Sequence, residues 1–391
     1  MEERDGPAPW VSSSHDVSAH NRVRVLESVM RSGPSSRVAL ARTLGMSPAT
    51  VNRLTSALMR LGFIEHAGNA TTGGRPSMLV RFQPHRKTVL ALDIWEAAIE
   101  VAVLDLSGST LERDRVPMNG ATPDGRLKLL VDTVSLWDTK LQGSLAAVGI
   151  SVPGPVSTDG IVLLAPALEW YDVDALSPIR DVTSVPVVIE NDVNLIALAE
   201  YRHLNSPNHK TLVAVAVFQG VGAGIVEDGR MWRGNHGAAG QFGRMLQDVS
   251  GLRHRKHGFG QLETELGSKG ILDRAIEARV VSPEVGSADA VFASAQSGDQ
   301  EALAMVEKVA DEYAFHLVNV CAMVAPDIVV FGGLFERWSE LLIPMISERL
   351  EGNVIHLPEL RTAELGDEGK LIGAGRNALE AAGGLAALVT G

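Results

Sequence analysis

The chain has 391 residues, of which 45% are hydrophobic and 21% are charged, a balance that predicts a globular protein of two or three domains. No apolar stretch reaches the roughly 18 residues that cross a bilayer, and the acidic, polar N-terminus is unlike a signal peptide, so we expect a cytoplasmic protein. The single cysteine, Cys321, excludes an internal disulfide and a multi-cysteine metal cluster.

The net charge of −12 is divided unevenly along the chain. Residues 17–87 contain eleven Arg or Lys and two acidic residues, a local charge of +9, whereas residues 88–391 contain 23 basic and 41 acidic residues. Such an asymmetry is typical of a nucleic-acid-binding segment joined to an acidic body. Residues 1–16 are predicted to be a disordered tail.

Three helices are predicted in the basic segment. The first spans residues 19–32, and the second spans residues 36–44, with Ser36 as its N-cap. The third runs from Ser47-Pro48 to Leu61, because Ser is a good N-cap and Pro is well tolerated at the first helical position. Glycines at positions 45 and 62 end the second and third helices.

The third helix has two unlike faces. Its apolar residues follow the spacing of one buried side: Val51, Leu54, Leu58 and Leu61. Its opposite side is small, polar or basic, with no acid: Ala49, Asn52, Arg53, Ser56 and Arg60. This pattern is typical of the second helix of a helix-turn-helix, in which Asn can address adenine and Arg guanine. We add Ser47 and Thr50, at the start of the helix, to the predicted DNA-contacting set. An ordinary three-helix bundle is the alternative.

The segment after this helix predicts a wing. Residues 63–65 and 79–82 have the composition of two short strands, and the loop AGNATTGGRPS between them is nearly free of acids. Arg75 in this loop is expected to reach phosphates or a minor groove. The wing favours DNA binding over the plain bundle.

From residue 88 onward, strands and helices alternate, which predicts an α/β body. Strands are expected at 88–94, 98–105, 145–152, 186–190, 211–218, 221–227 and 327–331, and helices at 123–140, 192–204, 301–324, 336–350 and 371–383. TVLALDIWEAAIEVAVLD (88–105) resembles TLVAVAVFQGVGAGIVED (211–228), 123 residues later. This echo predicts two related lobes with a ligand cleft between them, unless it is a chance similarity of apolar strands.

These patterns divide the chain into domains. We predict a winged helix at 17–83, a linker at 84–87, a first α/β lobe at 88–204 and a second α/β lobe at 205–370. A C-terminal helix at 371–391 is expected to pack back on the first lobe.

Several segments in order resemble the ROK family, which comprises repressors, open reading frames and sugar kinases. The helices and the GGRP wing resemble the family's winged helix-turn-helix. The body contributes five matching segments: GISVPGPV (149–156), ENDVNLIALAE (190–200), GVGAGIVEDGRMWRGNHGAAGQFGR (220–244), IVVFGG (328–333) and LIGAGRNALE (371–380). The resemblance spans almost the whole chain and implies an actin-like, ribonuclease-H-like body with two lobes around a sugar cleft.

The kinases of this family cradle ATP phosphates in a Gly-Gly-Thr loop that follows an Asp. Here Asp93 is kept, but Trp95, Glu96 and Ala97 replace the loop, and Phe218-Gln219 replaces the Gly-Thr of a second turn. Trp is expected to obstruct the phosphate, and Glu to repel it by on the order of several kcal/mol in a poorly solvated cleft. We therefore predict no kinase activity and no cofactor. The remaining glycines are explained as a tight turn: Gly220, Gly222 and Gly224.

The resemblance also implies a partly retained sugar site. Asp192 matches the general base of the kinases and, without a phosphate donor, is expected to accept a hydrogen bond from a sugar hydroxyl, to cap the following helix, or both. The predicted ligand-binding set is Asn191, Asp192, Gln241, Arg244 and Glu263. Gln241 and Arg244 stand where the family has Glu and a zinc-binding His, and Ala167 stands where relatives often have Asn.

No zinc site is expected. The three zinc cysteines of the family correspond to His254, Lys256 and Gln261, and neither Lys nor Gln is a suitable zinc ligand. The alternative is an incidental metal site formed by three histidines: His236, His254 and His257.

Together these features predict a sequence-specific DNA-binding transcriptional regulator, a repressor in preference to an activator, whose body senses a sugar or sugar derivative. Its expected partners are a palindromic double-stranded operator, the effector and further copies of itself, as a homodimer or tetramer at the nucleoid, without a membrane. Two alternatives stay open: a DNA-binding sugar kinase with Asp192 as base, and a regulator whose ligand-blind body serves oligomerisation.

Overall fold

The structure is a computed structural model, and it describes residues 14–70, 77–206, 208–253 and 258–390. Within these ranges, no helix is both long enough and apolar enough to traverse a lipid bilayer. The described chain forms a helical N-terminal domain and a body with two five-stranded sheets.

The N-terminal domain contains three helices and a small antiparallel sheet. Its elements are α1 (Ser14–Ser32), β1 (Ser35–Ser36), α2 (Arg37–Leu44), α3 (Pro48–Leu61), β2 (Ile64–Ala70) and β3 (Ser77–Phe82). The sheet order is β1-β3-β2, so the two predicted wing strands pair and a third strand, not predicted, joins them. β2 extends to Ala70 and β3 begins at Ser77, so both ends of the predicted loop are strand residues, and Arg75 lies outside the described residues.

Local capping defines the helix ends as predicted. The Ala39 backbone N–H donates to Ser36 Oγ at the start of α2, and the Thr50 N–H donates to Ser47 Oγ at the start of α3, each at 3.1 Å. Gly45 and Gly62 follow the two helices in the left-handed conformation, with φ of 63° and 82°, which favours glycine.

The first sheet of the body has the order β10-β7-β4-β5-β6. Its strands are β4 (Thr88–Ile94), β5 (Ala98–Asp105), β6 (Thr110–Pro117), β7 (Leu145–Val152) and β10 (Val187–Asn191). The β4–β5 pair is antiparallel, whereas β7 is parallel to both β4 and β10. Around it lie α4 (Pro123–Lys140), the hairpin of β8 (Ile161–Ala165) and β9 (Trp170–Asp174), and α5 (Leu176–Arg180).

The second sheet repeats this plan, with the order β13-β12-β11-β14-β15. Its strands are β11 (Thr211–Val217), β12 (Val221–Glu227), β13 (Arg230–Met231), β14 (Ile328–Gly333) and β15 (Glu359–Thr362). Like β4 and β5, β11 and β12 form an antiparallel hairpin, and β14 pairs with β11 in parallel. The sequence echo between residues 88–105 and 211–228 therefore corresponds to a structural repeat.

The helices of the second lobe enclose its largest hydrophobic cluster, and they are α7 (Gln261–Leu266), α8 (Ser268–Glu277), α9 (Asp289–Gln296), α10 (Gln300–Val324), α11 (Leu334–Arg337) and α12 (Ser339–Leu350). The single helix predicted at 336–350 is thus split near Trp338. The Trp338 indole N–H donates to Asp289 Oδ1 at 2.8 Å, which ties this break to the start of α9.

Two helices form the layer between the sheets. α6 (Asp192–Leu204) packs on β11 and β12, α13 (Glu368–Ala381) packs on β4 and β7, and the two helices pack on each other. A Cβ at Gly149 would lie 2.0 Å from the Ala374 carbonyl oxygen, and one at Gly373 would lie 2.2 Å from the Leu195 carbonyl oxygen. These glycines are therefore required for close helix packing.

The C-terminus differs from the prediction of one helix on the first lobe. After α13, a separate helix α14 (Gly384–Thr390) packs against α1 of the N-terminal domain. Val389 is fully buried in the hydrophobic cluster that contains Leu26 and Leu58. The body also contributes Leu106, from the turn after β5, to this cluster.

The predicted linker is also packed against both parts of the chain. Residues Pro84–Arg86 form a short 3-10 helix. Arg86 Nε donates to the Leu61 carbonyl oxygen at 2.7 Å, and the Leu106 N–H donates to the Pro84 carbonyl oxygen at 3.1 Å. The N-terminal domain is therefore held on the body at this segment as well as at α14.

Candidate functional site

The turns after β4 and β11 meet across the space between the lobes. Residues 95–97 connect β4 to β5, and residues 218–220 connect β11 to β12. Gln219 Nε2 donates a hydrogen bond to Glu96 Oε2 at 3.2 Å. Both side chains are exposed, so the charge of Glu96 is better screened than we expected for a poorly solvated cleft.

Trp95 does not obstruct the turn in the way that we expected. Its side chain is 38% exposed, and the Arg115 guanidinium carbon of the edge strand β6 lies 5.4 Å from the ring centroid. The ring therefore makes a cation–π contact within its own lobe. The contact between the two turns is made by Glu96 and Gln219 instead.

A buried ion pair lies next to both turns. Asp93, at the end of β4, is 7% exposed, and its Oδ2 lies 3.4 Å from Lys370 Nζ. Lys370 Nζ also lies 3.9 Å from the ring centroid of Phe218, which comes from the second turn. Lys370 was missed because the predicted helix began at residue 371, whereas α13 begins at Glu368.

Asn191, rather than Asp192, caps α6. Asn191 Oδ1 accepts hydrogen bonds from the backbone N–H groups of Val193 and Asn194, both at 3.1 Å. Asn191 Nδ2 donates to the Gly154 carbonyl oxygen at 3.1 Å. The prediction that Asp192 is the N-cap is therefore wrong, and the amide of Asn191 is already engaged in structural contacts.

Asp192 is the first residue of α6 and is 9% exposed. Its Oδ1 accepts hydrogen bonds from the Val193 N–H at 2.9 Å and from Asn191 Nδ2 at 3.0 Å. Burial raises the pKa of Asp192 to about 6, while Lys370 opposes this rise and Asp93 adds to it. Asp192 is thus a buried carboxyl group that can accept a hydrogen bond near neutral pH.

We expect Asp192→Asn to stabilise the fold at high pH. The raised pKa of Asp192 means that its contribution to stability is full below the ordinary carboxyl pKa of 3.8 and is lost as pH rises through about 6. At pH 8 the free energy of unfolding should exceed that of the wild type by on the order of 1–3 kcal/mol, and the gain should shrink by pH 5. Urea unfolding at both pH values measures this, with the exposed Asp159→Asn as control. A gain that is independent of pH would contradict the assignment.

The other predicted ligand residues lie around α7. The Gly260 N–H donates to Glu263 Oε2 at 2.7 Å, and Arg244 Nη1 donates to the Gly258 carbonyl oxygen at 3.0 Å. Burial raises the pKa of Glu263, while hydrogen bonds from Gly260 and Val221 and the charge of Arg244 oppose this rise. Gln241 lies just before the short 3-10 helix Phe242–Arg244. The structure therefore places Gln241, Arg244 and Glu263 in one group and Asn191 and Asp192 in another.

Gly220 lies in the predicted tight turn, whereas Gly222 and Gly224 have a packing role that differs from that prediction. Gly222 and Gly224 lie within β12, and added Cβ atoms would lie 2.7 Å from a side-chain carbon of Val193 and 2.4 Å from its carbonyl oxygen. A Cβ at Gly220 would lie 2.6 Å from Glu263 Oε1. These glycines bring α6 and Glu263 close to β12, which explains them without a phosphate.

A second buried network was not predicted. Glu190 is 3% exposed, Arg233 Nε donates to its Oε2 at 2.5 Å, and Asn194 Nδ2 donates to its Oε1 at 2.9 Å. Arg233 Nη2 also donates to Asn377 Oδ1 at 3.4 Å. This network connects the segment after β13 to α6 and α13. Its residues fall within segments that resemble the ROK family, namely ENDVN, MWRGN and GRNAL. That shared membership is the sequence signal that could have revealed the network.

Two depressions on the surface lie away from these residues. One of about 420 Å³ is lined by residues 108–113 and Glu368, and another of about 390 Å³ lies between α10 and α12. Neither includes a predicted ligand residue, and the first is an open surface bounded by an Arg113–Glu368 ion pair. We place the candidate site at the interlobe cleft because the buried titratable groups converge there.

The structure does not assemble a metal-ligand cluster from the residues that it describes, in the sense of three or more neighbouring His, Cys, Asp or Glu. His254, Lys256 and His257 lie outside the described residues. Gln261 is the first residue of α7, and its buried Oε1 finds no hydrogen-bond partner among the residues that the structure describes. The absence of zinc therefore stays a prediction.

The predicted DNA-contacting face is exposed on α3. Val51, Leu54 and Leu58 are buried, whereas the opposite side is open to solvent at Ala49, Asn52, Arg53, Ser56 and Arg60. At its start, Ser47 Oγ and Thr50 Oγ1 are 2.8 Å apart, so both hydroxyls take part in the cap. The two-faced pattern that was predicted for this helix is therefore the one observed, while base contacts by these residues stay predictions.

A helix-turn-helix domain placed ahead of two lobes of repeated topology defines a DNA-binding protein built on a sugar-kinase fold. The model of the ROK family matches residues 89–380, and that of the IclR helix-turn-helix domain matches residues 18–68. The chain belongs to the ROK family.

The chain is similar to regulators and to a kinase. It is 26% identical to the xylose repressor of Bacillus subtilis over 60% of this chain and 62% of that protein, so it spans about three fifths of that relative. It is 24% identical to the DNA-binding transcriptional dual regulator NagC of Escherichia coli, over 88% and 89% of the two chains. It is 26% identical to a glucokinase of Halalkalibacterium halodurans, over 73% and 93%.

The crystal structure of a ROK family transcriptional regulator, a homologue of the Escherichia coli MLC protein, has the same fold. It aligns with a TM-score of 0.77 and 24% identity over 96% of this chain and 98% of that chain. The predicted fold class, an N-terminal helix-turn-helix followed by a two-lobed ROK body, is confirmed.

Proposed function

We propose that this protein represses transcription by binding a palindromic DNA operator, and that a sugar or sugar derivative in the interlobe cleft controls this binding. In this proposal the body does not transfer phosphate, and the chain acts as a homodimer or tetramer. One observation carries the proposal: an exposed, acid-free helix face is joined to a kinase-like body whose two phosphate turns contact each other through Glu96 and Gln219.

The DNA half is supported by the geometry of α3. Arg53, Asn52 and Ser56 are exposed on one side of a helix that is anchored by its opposite face. Such a helix can enter a major groove while the domain core stays intact. The local charge of +9 supplies the attraction to phosphates that does not depend on base sequence.

The sugar half is supported by the buried acceptors of the cleft and by the relatives. Asp192 is a buried carboxyl group and Glu263 a half-buried one, and carboxylates accept hydrogen bonds from hydroxyls well. Among regulators similar to this chain, one is a xylose repressor and another an N-acetylglucosamine repressor. The effector of this chain is therefore proposed to be a sugar of comparable size.

Coupling between the sugar cleft and the DNA-binding helix α3 is supported by the packing of the N-terminal domain on the body. α13 lies beside the cleft at Lys370, and α14 follows it and packs on α1. A shift of α13 on ligand binding would move α14 and reposition α3 relative to a second half-site.

A kinase that also binds DNA is the second candidate. Its support is Asp192, whose pKa of about 6 suits a general base, together with the similarity to a glucokinase. ATP-dependent phosphorylation of glucose or N-acetylglucosamine that is lost in Asp192→Asn would establish it.

A ligand-blind body used for oligomerisation is the third candidate. Gln241 and Arg244 replace the residues that the family uses at these positions, and Ala167 lies in the short 3-10 helix Pro166–Leu168 without a polar side chain. A body of this kind would show no response to any sugar.

A thermal-shift screen of the full chain separates the three candidates. We expect one neutral sugar among xylose, glucose and N-acetylglucosamine to raise the melting temperature by about 2 °C or more at saturation. Asp192→Asn should abolish this shift, whereas the exposed Asp159→Asn should retain it. A shift with magnesium and ATP would favour the kinase, and the absence of a shift with every sugar and sugar phosphate would favour the ligand-blind body.

A further inference from the structure

Lys370 is a largely buried cation that the function proposed above leaves without a role. It lies in the first turn of α13, and its side chain is 13% exposed. Its Nζ lies 3.4 Å from Asp93 Oδ2 and 3.9 Å from the Phe218 ring centroid. The ammonium group is thus held between the end of β4 in the first lobe and the turn after β11 in the second.

Both carboxylate oxygens of Asp93 are engaged. Ser151 Oγ donates to Oδ1 at 2.5 Å, and Oδ2 faces Lys370. Magnesium and manganese ions in phosphate-transferring sites are usually held by one or two carboxylates together with the phosphates. The carboxylate charge of Asp93, which such an ion would bind, is already neutralised by the ammonium group of Lys370.

Lys370 keeps its positive charge in this environment. Burial opposes the charge, but the carboxylates of Asp93 and Asp192 outweigh burial and raise the pKa of Lys370 above its ordinary value. A divalent cation placed beside Asp93 would meet a permanent ammonium group a few ångströms away in a poorly hydrated site.

We propose that Lys370 is the specificity-determining residue of the cleft, because its ammonium group occupies the place beside Asp93 that a divalent cation would take. The cleft then admits an uncharged ligand and excludes a metal-bound nucleotide. This inference rests on the proposed function, in which the cleft takes a ligand without phosphoryl transfer. The Glu96–Gln219 contact is exposed to solvent and is therefore a weak barrier to a nucleotide. Lys370 adds a barrier in a less exposed position.

The contact with Phe218 positions the ammonium group of Lys370. Phe218 is half-buried, and its ring face is close to the ammonium group, so a cation–π contact holds Lys370 toward the second lobe. Phe218, which stands in place of the glycine of the second phosphate turn, therefore stabilises Lys370, whose ammonium group takes the place of the metal.

The test uses Mn²⁺ as the probe and the full-length chain as the sample. Electron paramagnetic resonance of free Mn²⁺ should detect no saturable binding to the wild type that depends on Asp93. Lys370→Ala should bind one Mn²⁺ in a saturable way, at least about tenfold more tightly than any residual binding by the wild type, because one repelling charge is removed. Adding Asp93→Asn to this variant should abolish the binding, and Lys370→Arg should behave like the wild type.

Two results would overturn the inference. One is Mn²⁺ binding by the wild type that Asp93→Asn abolishes, and the other is a folded Lys370→Ala chain that binds no more Mn²⁺ than the wild type. If circular dichroism shows that Lys370→Ala is unfolded, Lys370→Met, which keeps the methylene chain against Phe218, takes its place with the same outcomes. Because the readout involves neither DNA nor sugar, failure of this inference is distinct from failure of the proposed function.

Discussion

The substitution Val389→Asp is expected to release α14 from α1 and to separate DNA binding from the state of the cleft. Val389 is fully buried in the hydrophobic cluster of the N-terminal domain. An unpaired carboxylate there costs on the order of several kcal/mol, so the short helix α14 should detach in preference to burying the charge. DNA binding should then persist in a form that no longer responds to the effector.

Hydrogen–deuterium exchange of α1 and α14 measures this release directly, and operator titration with and without effector measures the loss of coupling. Ala386→Asp is the matched control, because it places the same charge on the exposed side of the same helix. Equal protection of α1 in both variants would show that α14 does not hold the N-terminal domain.

For Arg53→Ala we expect a loss of about 1–3 kcal/mol in specific DNA affinity, which corresponds to roughly a 5- to 150-fold higher Kd. Arg53 is exposed on the acid-free face of α3, where a guanidinium group can form a bidentate contact with guanine. The preference for one base pair of the operator should relax at the same time. Nonspecific binding should fall much less, because only one of the eleven basic residues of the segment 17–87 is removed.

Fluorescence anisotropy on a selected operator and on mutated operators measures both effects. Arg230→Ala is the control, because it removes an equal charge from an exposed position of the body. If the two variants lose the same affinity, or if Arg53→Ala keeps full base preference, the face of α3 has been assigned wrongly.

Features with local causes could be predicted from the sequence. Ser36 and Ser47 cap their helices through bonds that span only three residues, and Gly45 and Gly62 end them through their own backbone conformation. The helix Asp192–Leu204 was predicted with the correct bounds, although the cap was assigned to Asp192 and is made by Asn191. The two lobes could be inferred because each hairpin repeats a strand–turn–strand pattern.

Features that depend on long-range contacts could not be predicted. The Gln219–Glu96 contact joins residues 123 positions apart, and the Lys370–Asp93 pair joins residues 277 positions apart. Periodicity gives the face on which a side chain lies but not the partner that it meets. The same limit explains α14, whose short apolar stretch was expected to continue the preceding helix on the first lobe.

Trp95 is an example in which a role was inferred from the residue type alone. A large ring in a phosphate turn suggested obstruction, but the turn projects it toward Arg115 of β6. The glycines of β12 likewise suggest a turn in the sequence, while the close approach of α6 at Gly224 requires them for packing. In both cases the residue type was informative, and its spatial neighbour decided the role.

In the proposed function, one chain couples sequence-specific DNA binding to a sugar in a kinase-like cleft. The most direct measurement is a titration of the full chain on genomic DNA fragments selected by the protein itself, repeated with the sugar that stabilises it and with magnesium and ATP. We predict sequence-specific binding whose affinity the sugar changes at least about fivefold and ATP leaves unchanged. Specific DNA affinity that no sugar alters, or that ATP alters in place of sugar, would contradict it.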